Sequence, residues 1–289
     1  MTSSSPRLAA APPRPRRSLL FVPGARPELI AKADAAGPDL VCVDLEDAVA
    51  PDRKDAARDA VFAVLAASAP TRAELVVRIN GLGTPAGLAD LLALLRAPRP
   101  PSGIMIPKIR AAAELRLLDE LLDTAPALAG LVLHVIIETN DGLAEAGAIA
   151  RGSPRLASVL FGAVDMSAEL RCANAWEPLL YARSRVAHAA AAAGIDALDV
   201  PWLDLADIDG LAREARAAAA LGFGGKAAIH PGQLAAIHAA FTPSEAEIAR
   251  ARRIVAAYEA SPSGLVLVDG RLIERPVIRA MHRLLAGLR

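Results

Sequence analysis

Eight short apolar runs, each separated from the next by an amphipathic stretch, constrain this chain more than any other feature. The runs are SLLFV (18–22), LVCVDL (40–45), ELVVRI (74–79), GIMI (103–106), LVLHVII (131–137), ASVLF (157–161), GIDALD (194–199) and GFGGKAAI (222–229). Between them, segments such as RKDAARDAVFAVLAA and AAAELRLLDELLD place apolar residues at i, i+3 and i+4, the period of a helix with one buried face. Short runs that are apolar throughout suit strands covered on both faces. Eight of them alternating with helices predict an α/β fold, a (β/α)8 or TIM barrel. A doubly wound open sheet is the competing fold. Its customary glycine-rich first turn is missing, because the first turn here reads FVPGARPE, without GxGxxG spacing.

The barrel is expected over residues 17–240. Residues 1–16, MTSSSPRLAAAPPRPR, mix proline and basic residues with no continuous apolar run and are read as a disordered tail. Residues 241–289 read as a small C-terminal helix–hairpin–helix extension. TPSEAEIARARRIVAAYEA (242–260) opens on Thr242, Pro243 and Glu245 and continues helically. LVLV and RLI can pair across Asp269–Gly270, a strong two-residue turn signal, and a last helix is expected to start near Pro276. So small a unit buries little core alone, so it is expected to pack on its own barrel or on a neighbouring chain.

Charge and composition exclude several classes of partner. With 32 Lys and Arg against 32 Asp and Glu, the formal net charge of +0 offers no field to attract nucleic acid or acidic lipid. Aromatic residues, at 3%, provide no base-stacking platform. Mean hydropathy is +0.34, but no apolar stretch of roughly 18 residues escapes interruption, so no membrane span is expected. The two cysteines, Cys42 inside a strand run and Cys172 after an arginine, suit neither a disulfide framework nor a zinc site. A reducing, cytoplasmic setting is the expectation.

In a barrel the C-terminal ends of all strands converge on one mouth, so polar residues at those ends become neighbours. The runs end on Asp44, Glu46 and Asp47; on Arg78 and Asn80; on Lys108; on Glu138 and Asn140; on Asp165; and around Lys226 and His230. Asp47, Asn140 and Asp141 could each be an ordinary helix cap. Glu138 and Asp165 stand out as two carboxylates on adjacent rigid strands with little His or Cys nearby. That donor chemistry suits a hard divalent cation, Mg²⁺ with Mn²⁺ as the alternative, that keeps several waters and leaves room for a substrate carboxylate and carbonyl. Arg78 offers a planar guanidinium to an oxyanion or carboxylate, or a salt bridge to the mouth acids, and the two uses are compatible.

The segments RSLLFVPGARPELIAKA (17–33), VCVDLEDAV (41–49), VVRING (76–81), MIPKI (105–109), IIETNDGL (136–143), LFGAVDM (160–166) and GKAAIHPGQ (225–233) run in consistent order along most of the chain. Together they resemble the citrate lyase beta-subunit-like branch of the HpcH/HpaI aldolase superfamily, which includes malyl-CoA, citramalyl-CoA and citryl-CoA lyases. The resemblance implies a (β/α)8 barrel, commonly a homotrimer or hexamer, that cleaves or forms a carbon–carbon bond beside a thioester or carboxylate. It puts the magnesium ligands on Glu138 and Asp165 and the substrate-binding arginine on Arg78, with Glu138 also lining the substrate pocket. Phe21, Arg26 and Lys32 fall where coenzyme A-using relatives hold that part of the substrate. Glu46, with Asp44 close by, falls where water or side chains are ordered at the metal. Lys108 is read as an anion-binding or supporting group, not a Schiff base.

Two departures stand out. Relatives tend to carry a DGxMID-like segment whose last Asp reaches a neighbouring subunit's mouth as an acid/base group; here the stretch is DGRLIERP, with Glu274 in that position. The loop SAELRCANAWEP brings Cys172 and Trp176 where relatives show a glycine and small polar residues, so the indole either narrows the acyl pocket or packs on the barrel. The leading expectation is a Mg²⁺-dependent lyase acting on a 3-hydroxyacyl-CoA of the citramalyl, malyl or citryl type. The alternatives are an aldolase on a free hydroxy-keto acid, a thioesterase on a malyl-type thioester, and a non-catalytic subunit of a larger lyase complex.

Overall fold

Eight parallel strands close into a barrel in sequence order in the computed structural model, which describes residues 15–261 and 266–287. They are β1 (Ser18–Pro23), β2 (Leu40–Asp44), β3 (Glu74–Arg78), β4 (Gly103–Ile106), β5 (Val132–Ile137), β6 (Leu156–Phe161), β7 (Asp196–Asp199) and β8 (Gly225–Ala228). Pairing of Ser18 with Lys226, Leu19 with Ala227 and Leu20 with Ala228 closes β1 on β8. The predicted barrel is therefore present, with strand positions within a few residues of the apolar runs. Of the expected tail, residues 1–14 lie outside the described residues. Its last residue, Arg16, is bound to the barrel through Glu74 and Asp196.

Side chains alternate in and out along each strand, and that parity sorts the barrel into levels. Leu19, Leu40, Cys42, Val76, Met105, Ile136, Leu160, Leu198 and Ala227 form one apolar cluster, distinct from the larger core between strands and helices. Two residues before this level come Glu74, His134 and Ser158; two residues after it come Asp44, Arg78 and Glu138. The inward files of β3 and β5 are thus polar at the base, apolar in the middle and charged at the mouth. Cys42 behaves as the small hydrophobe expected: it is fully buried, and burial pushes its thiol pKa well up.

At the base, His134 shares hydrogen bonds with Ser158 Oγ at 2.7 Å and with Glu74 Oε1 at 3.1 Å, and Arg16 Nε donates to Glu74 Oε2 at 2.8 Å. Ser158 and His134 are fully buried, so this trio is framework rather than a nucleophile. Burial pushes the Glu74 carboxyl upward, but the hydrogen bond and charge of His134, then those of Arg16, overcome it and hold it at about 2. A carboxyl lowered from its ordinary 4.5 contributes stability that is complete above about pH 4.5 and is lost as pH falls through about 2. Glu74→Gln is therefore expected to cost on the order of 3 kcal/mol at pH 7, a gap that narrows below pH 5. Urea melts of both chains at pH 7, 5 and 3 would measure it, and a gap independent of pH would refute the assignment.

A second polar network lies between the strands and the helix layer. Lys226 Nζ, fully buried, donates to Asp199 Oδ2 at 2.6 Å and Glu214 Oε1 at 2.7 Å, while Arg183 Nε donates to Asp199 Oδ1 at 3.0 Å. The Arg183 guanidinium also sits 4.6 Å from the Trp176 ring and 5.1 Å from Phe161. Trp176 is thereby engaged on the barrel wall, which resolves the choice left open by its sequence.

The chain divides into two compact units at Phe241 and Thr242. In the second, the helix Glu245–Glu259 is opened by Ser244, whose hydroxyl accepts from Glu247 N while Glu247 reaches back to Ser244 N. Strands β9 (Val266–Val268) and β10 (Arg271–Ile273) pair antiparallel across Asp269 and Gly270, both at positive φ, the backbone that an Asp-Gly turn accommodates. Leu265, the first residue of the expected LVLV strand, is outside the described residues. The helix Arg275–Ala286 follows, and Ile254, Ile273 and Ile278 make the unit's small core. Across the hairpin, the paired Leu267 and Leu272 are both exposed. Among the described residues no helix is long and apolar enough to cross a membrane.

Candidate active site at the barrel mouth

The strand ends surround a cavity of about 430 Å³ whose wall includes Phe21, Asp44, Arg78, Glu138, Gly162 and Asp165. Arg78, at the end of β3, is held in one orientation. Its Nε donates to Asp44 Oδ1 at 2.7 Å, its Nη2 donates to Asp44 Oδ2 at 2.5 Å, and its carbon centre lies 5.0 Å from the Phe21 ring. Burial opposes its charge, yet Asp44 and then Glu46 keep its pKa above the ordinary arginine value. Asp44 also accepts from Glu46 N and Ala48 N, at 2.8 and 3.0 Å, and so shapes the loop after β2.

Glu46 is buried in that loop. Its Oε1 accepts from Lys108 Nζ, and its Oε2 lies 3.1 Å from Arg78 Nη1 but outside hydrogen-bonding geometry, so that oxygen is buried without a hydrogen bond. Burial keeps the Glu46 carboxyl above its ordinary pKa despite Arg78 and Lys108. Lys108, just past β4, adopts left-handed backbone at φ 52°. That unusual conformation for a side-chain-bearing residue accompanies a backbone N–H donated to Glu138 Oε1 at 2.8 Å. Lys108 Nζ also stands 3.9 Å from Asp165 Oδ1.

Glu138 and Asp165 face one cavity. Burial first, then the charges of Glu46 and Asp165, push the Glu138 carboxyl up to about 8. Asp44, Glu46, Glu138 and Asp165 face two cations, Arg78 and Lys108, an excess of acid that a divalent cation would offset. Gly162 makes the approach possible: a Cβ there would lie 2.5 Å from Glu138 Oε2 and 2.6 Å from its Cβ. No cluster of three or more His, Cys, Asp or Glu able to hold a metal occurs among the described residues. Two carboxylates with all-oxygen donor chemistry fit Mg²⁺, which retains waters, and not a softer metal.

The remaining expected residues separate. Arg26 and Lys32 are exposed on the first turn and helix after β1, Arg26 paired with Glu28, and neither belongs to the cavity wall. Lys226 turns to the Asp199–Glu214 network, and His230 Nδ1 accepts from Gly232 N, so neither is among the residues that line the mouth cavity. Asn80 is structural: its amide donates to Leu45 O and to Asp90, which also accepts from Arg58. The cap after β5 is Thr139, not Asn140 or Asp141. Gly162 and Lys54, whose Nζ donates to Leu45 O and Glu46 O, went unnoticed in the sequence. A glycine directly after a strand and three residues before an acid was the available signal for the first. Glu274, in the second unit, is exposed, and as the N-cap of the last helix its side chain makes no capping bond.

A closed parallel barrel with two convergent carboxylates and a clamped arginine at its C-terminal rim defines an enzyme-type site for an anionic substrate on a hard cation. The profile of the HpcH/HpaI aldolase/citrate lyase family matches residues 17–231, and this chain belongs to that family. It is 37% identical to the L-malyl-CoA/beta-methylmalyl-CoA lyase of Cereibacter sphaeroides over 93% of each chain. It is 35% identical to citrate lyase subunit beta of Leuconostoc mesenteroides subsp. cremoris, over 94% of this chain and 93% of that one. Among solved structures, CitE from Mycobacterium tuberculosis, in complex with magnesium, acetoacetate and coenzyme A, matches at a TM-score of 0.79 with 35% identity, covering 94% of this chain and 98% of that one.

Proposed function

We propose that this chain is a Mg²⁺-dependent carbon–carbon lyase that cleaves a 3-hydroxyacyl-CoA by retro-aldol chemistry. The observation that carries the reading is the pairing of Glu138 and Asp165 with a clamped Arg78 around one cavity. The similarity to the malyl-CoA lyase and to the magnesium-, acetoacetate- and coenzyme A-bound CitE supports it. Glu138 and Asp165 would hold the cation, which when bound polarises the substrate's hydroxyl or keto oxygen.

In the cleavage direction the hydroxyl proton passes to water at the mouth, its carbon becomes a keto group, and the bond between the 2- and 3-carbons breaks. The electron pair passes to the thioester as an enolate, which takes a proton at carbon to give the acyl-CoA. Arg78 stabilises that enolate oxygen. Asp44 accepts two of its five N–H groups, and those left on Nη1 and Nη2 remain for the ligand. Because Asp44 and Phe21 already fix the guanidinium, little reorganisation is needed as charge develops. Lys108 tempers the acid cluster, and its N–H orients Glu138. Incubation with malyl-, citramalyl- and citryl-CoA in Mg²⁺, followed by mass analysis, tests the reading. Turnover of free hydroxy-keto acids alone would replace it with a simple aldolase, and hydrolysis with the carbon skeleton intact would replace it with a thioesterase.

Glu274 supplies the enolate's proton from a neighbouring subunit of a homotrimer or hexamer. Its carboxylate caps nothing in its own helix, and the exposed Leu267–Leu272 pair beside a three-isoleucine core supports a unit completed by another chain. Glu274→Gln and Asp165→Ala chains should each be nearly inactive. Mixed in equal amounts and allowed to exchange, they should regain up to roughly a quarter of wild-type activity, because about one mouth in four then combines both intact groups. No recovery after proven exchange would remove Glu274 from a neighbour's site.

A further inference from the structure

The wall of the mouth cavity is divided by chemistry. Its charged residues are Asp44, Asp47, Arg78, Glu138 and Asp165, from the ends of β2, β3 and β5 and the helix after β6. The other lining residues carry no polar side chain. Val164, Val200, Pro201 and Ile229 follow β6, β7 and β8, while Ile136 and Leu160 belong to the apolar layer one level below the charges.

A 3-hydroxyacyl thioester carries four groups on its carbinol carbon. With the hydroxyl and the carboxylate on a cation held by Glu138 and Asp165, and the thioester arm at Arg78, one group remains. It is left with a wall that is apolar except for Asp47, itself an acid. A carboxylate in that place would be repelled or left unpaired, a cost that an alkyl group escapes. Arg78 is the one cation among the described lining residues, and Asp44 already accepts two of its N–H groups. Lys108, close by, is bonded to Glu46 and stands 3.5 Å from Asp47 and 3.9 Å from Asp165, so three acids already share it.

Resting on the lyase reading, we infer that the carbinol carbon of the substrate bears a short alkyl group. Cleavage then releases an alkyl 2-oxo acid, and a substrate branched with a carboxymethyl group is rejected. Val200 and Ile229 set that choice from the apolar side. Val200 is 8% exposed, a packed contact, whereas Ile229 is 40% exposed and holds its place through a backbone N–H donated to Gln233 Oε1.

Calorimetric titration of the Mg²⁺-loaded protein with pyruvate, 2-oxobutanoate and the isosteric pair oxaloacetate and 4-methyl-2-oxopentanoate tests this. The added methylene of 2-oxobutanoate should tighten binding about fourfold over pyruvate. Oxaloacetate should bind roughly tenfold or more weakly than its uncharged isostere. Ile229→Arg, which gives the apolar side a cation, should raise the oxaloacetate-to-pyruvate affinity ratio about tenfold. Val200→Ala, which removes apolar contact, should bring the 2-oxobutanoate-to-pyruvate ratio down toward one. Equal affinities for the isosteric pair, or tighter binding of oxaloacetate, would overturn the inference and leave the lyase reading in place. The expected order of acids with no cleavage of any 3-hydroxyacyl-CoA would keep the apolar subsite and remove the lyase reading. Binding of none of the four acids would overturn both.

Discussion

Asp165→Ala should lower Mg²⁺-dependent turnover by about 10³-fold or more while leaving the melting temperature nearly unchanged. The size follows from losing one of two carboxylates that would hold the cation, since charge stabilisation by a metal contributes several kcal/mol and each 1.36 kcal/mol is tenfold in rate. The preserved fold follows from how little Asp165 supports. It sits in the first turn of the helix Ala163–Leu170, is partly exposed, and its ion-pair contact with Lys108 is 3.9 Å long. Removing it also relieves repulsion on Glu138. Steady-state rates across a Mg²⁺ series, with thermal melts of the same samples, would measure both. Activity within tenfold of wild type at saturating Mg²⁺ would remove Asp165 from the cation site.

Arg78→Lys should cut kcat by about 10²-fold with a much smaller change in KM, although the charge is kept. A lysine ammonium is a compact point charge that can neither span both Asp44 oxygens nor lie flat over Phe21. The expected factor is that for loss of one preorganised donor at a developing oxyanion. Asp44 keeps its bonds from Glu46 N and Ala48 N, so the loop after β2 should survive and the effect should fall on chemistry. Unchanged turnover at saturating substrate would make Arg78 a structural residue.

The barrel was legible because its outward strand faces are almost wholly apolar and its helices strongly periodic. The same apolar density concealed the inward files. Glu74, His134 and Ser158 sit in runs that read as plain hydrophobic strands, and only counting in twos back from Arg78, Glu138 and Gly162 reveals them as one level. The mouth acids were readable because rigid strands deliver them. Lys226 misled because two glycines before it blur where β8 begins, and with it which face the lysine takes. Arg183 and Glu214 belong to helical stretches where charge ordinarily marks the solvent side, so their turn inward toward Asp199 left no trace in the periodicity. Gly162 follows the apolar run without a periodic signal of its own, and the contact it permits exists only in three dimensions.

The separation of polar levels bears on how this protein can be diversified. The Arg16–Glu74–His134–Ser158 group lies at the base, beyond an apolar layer from Asp44, Arg78 and Glu138 at the mouth. Substitutions in the loops after β6 and β7 share no partners with that base, so their stability effects should add rather than compound. A library confined to 163–176, with Asp165 held fixed, and 200–207 could therefore vary the rim of the mouth without eroding the scaffold's tolerance of acid. A library touching β3 would move both properties at once, because Glu74 and Arg78 lie on the same five-residue strand.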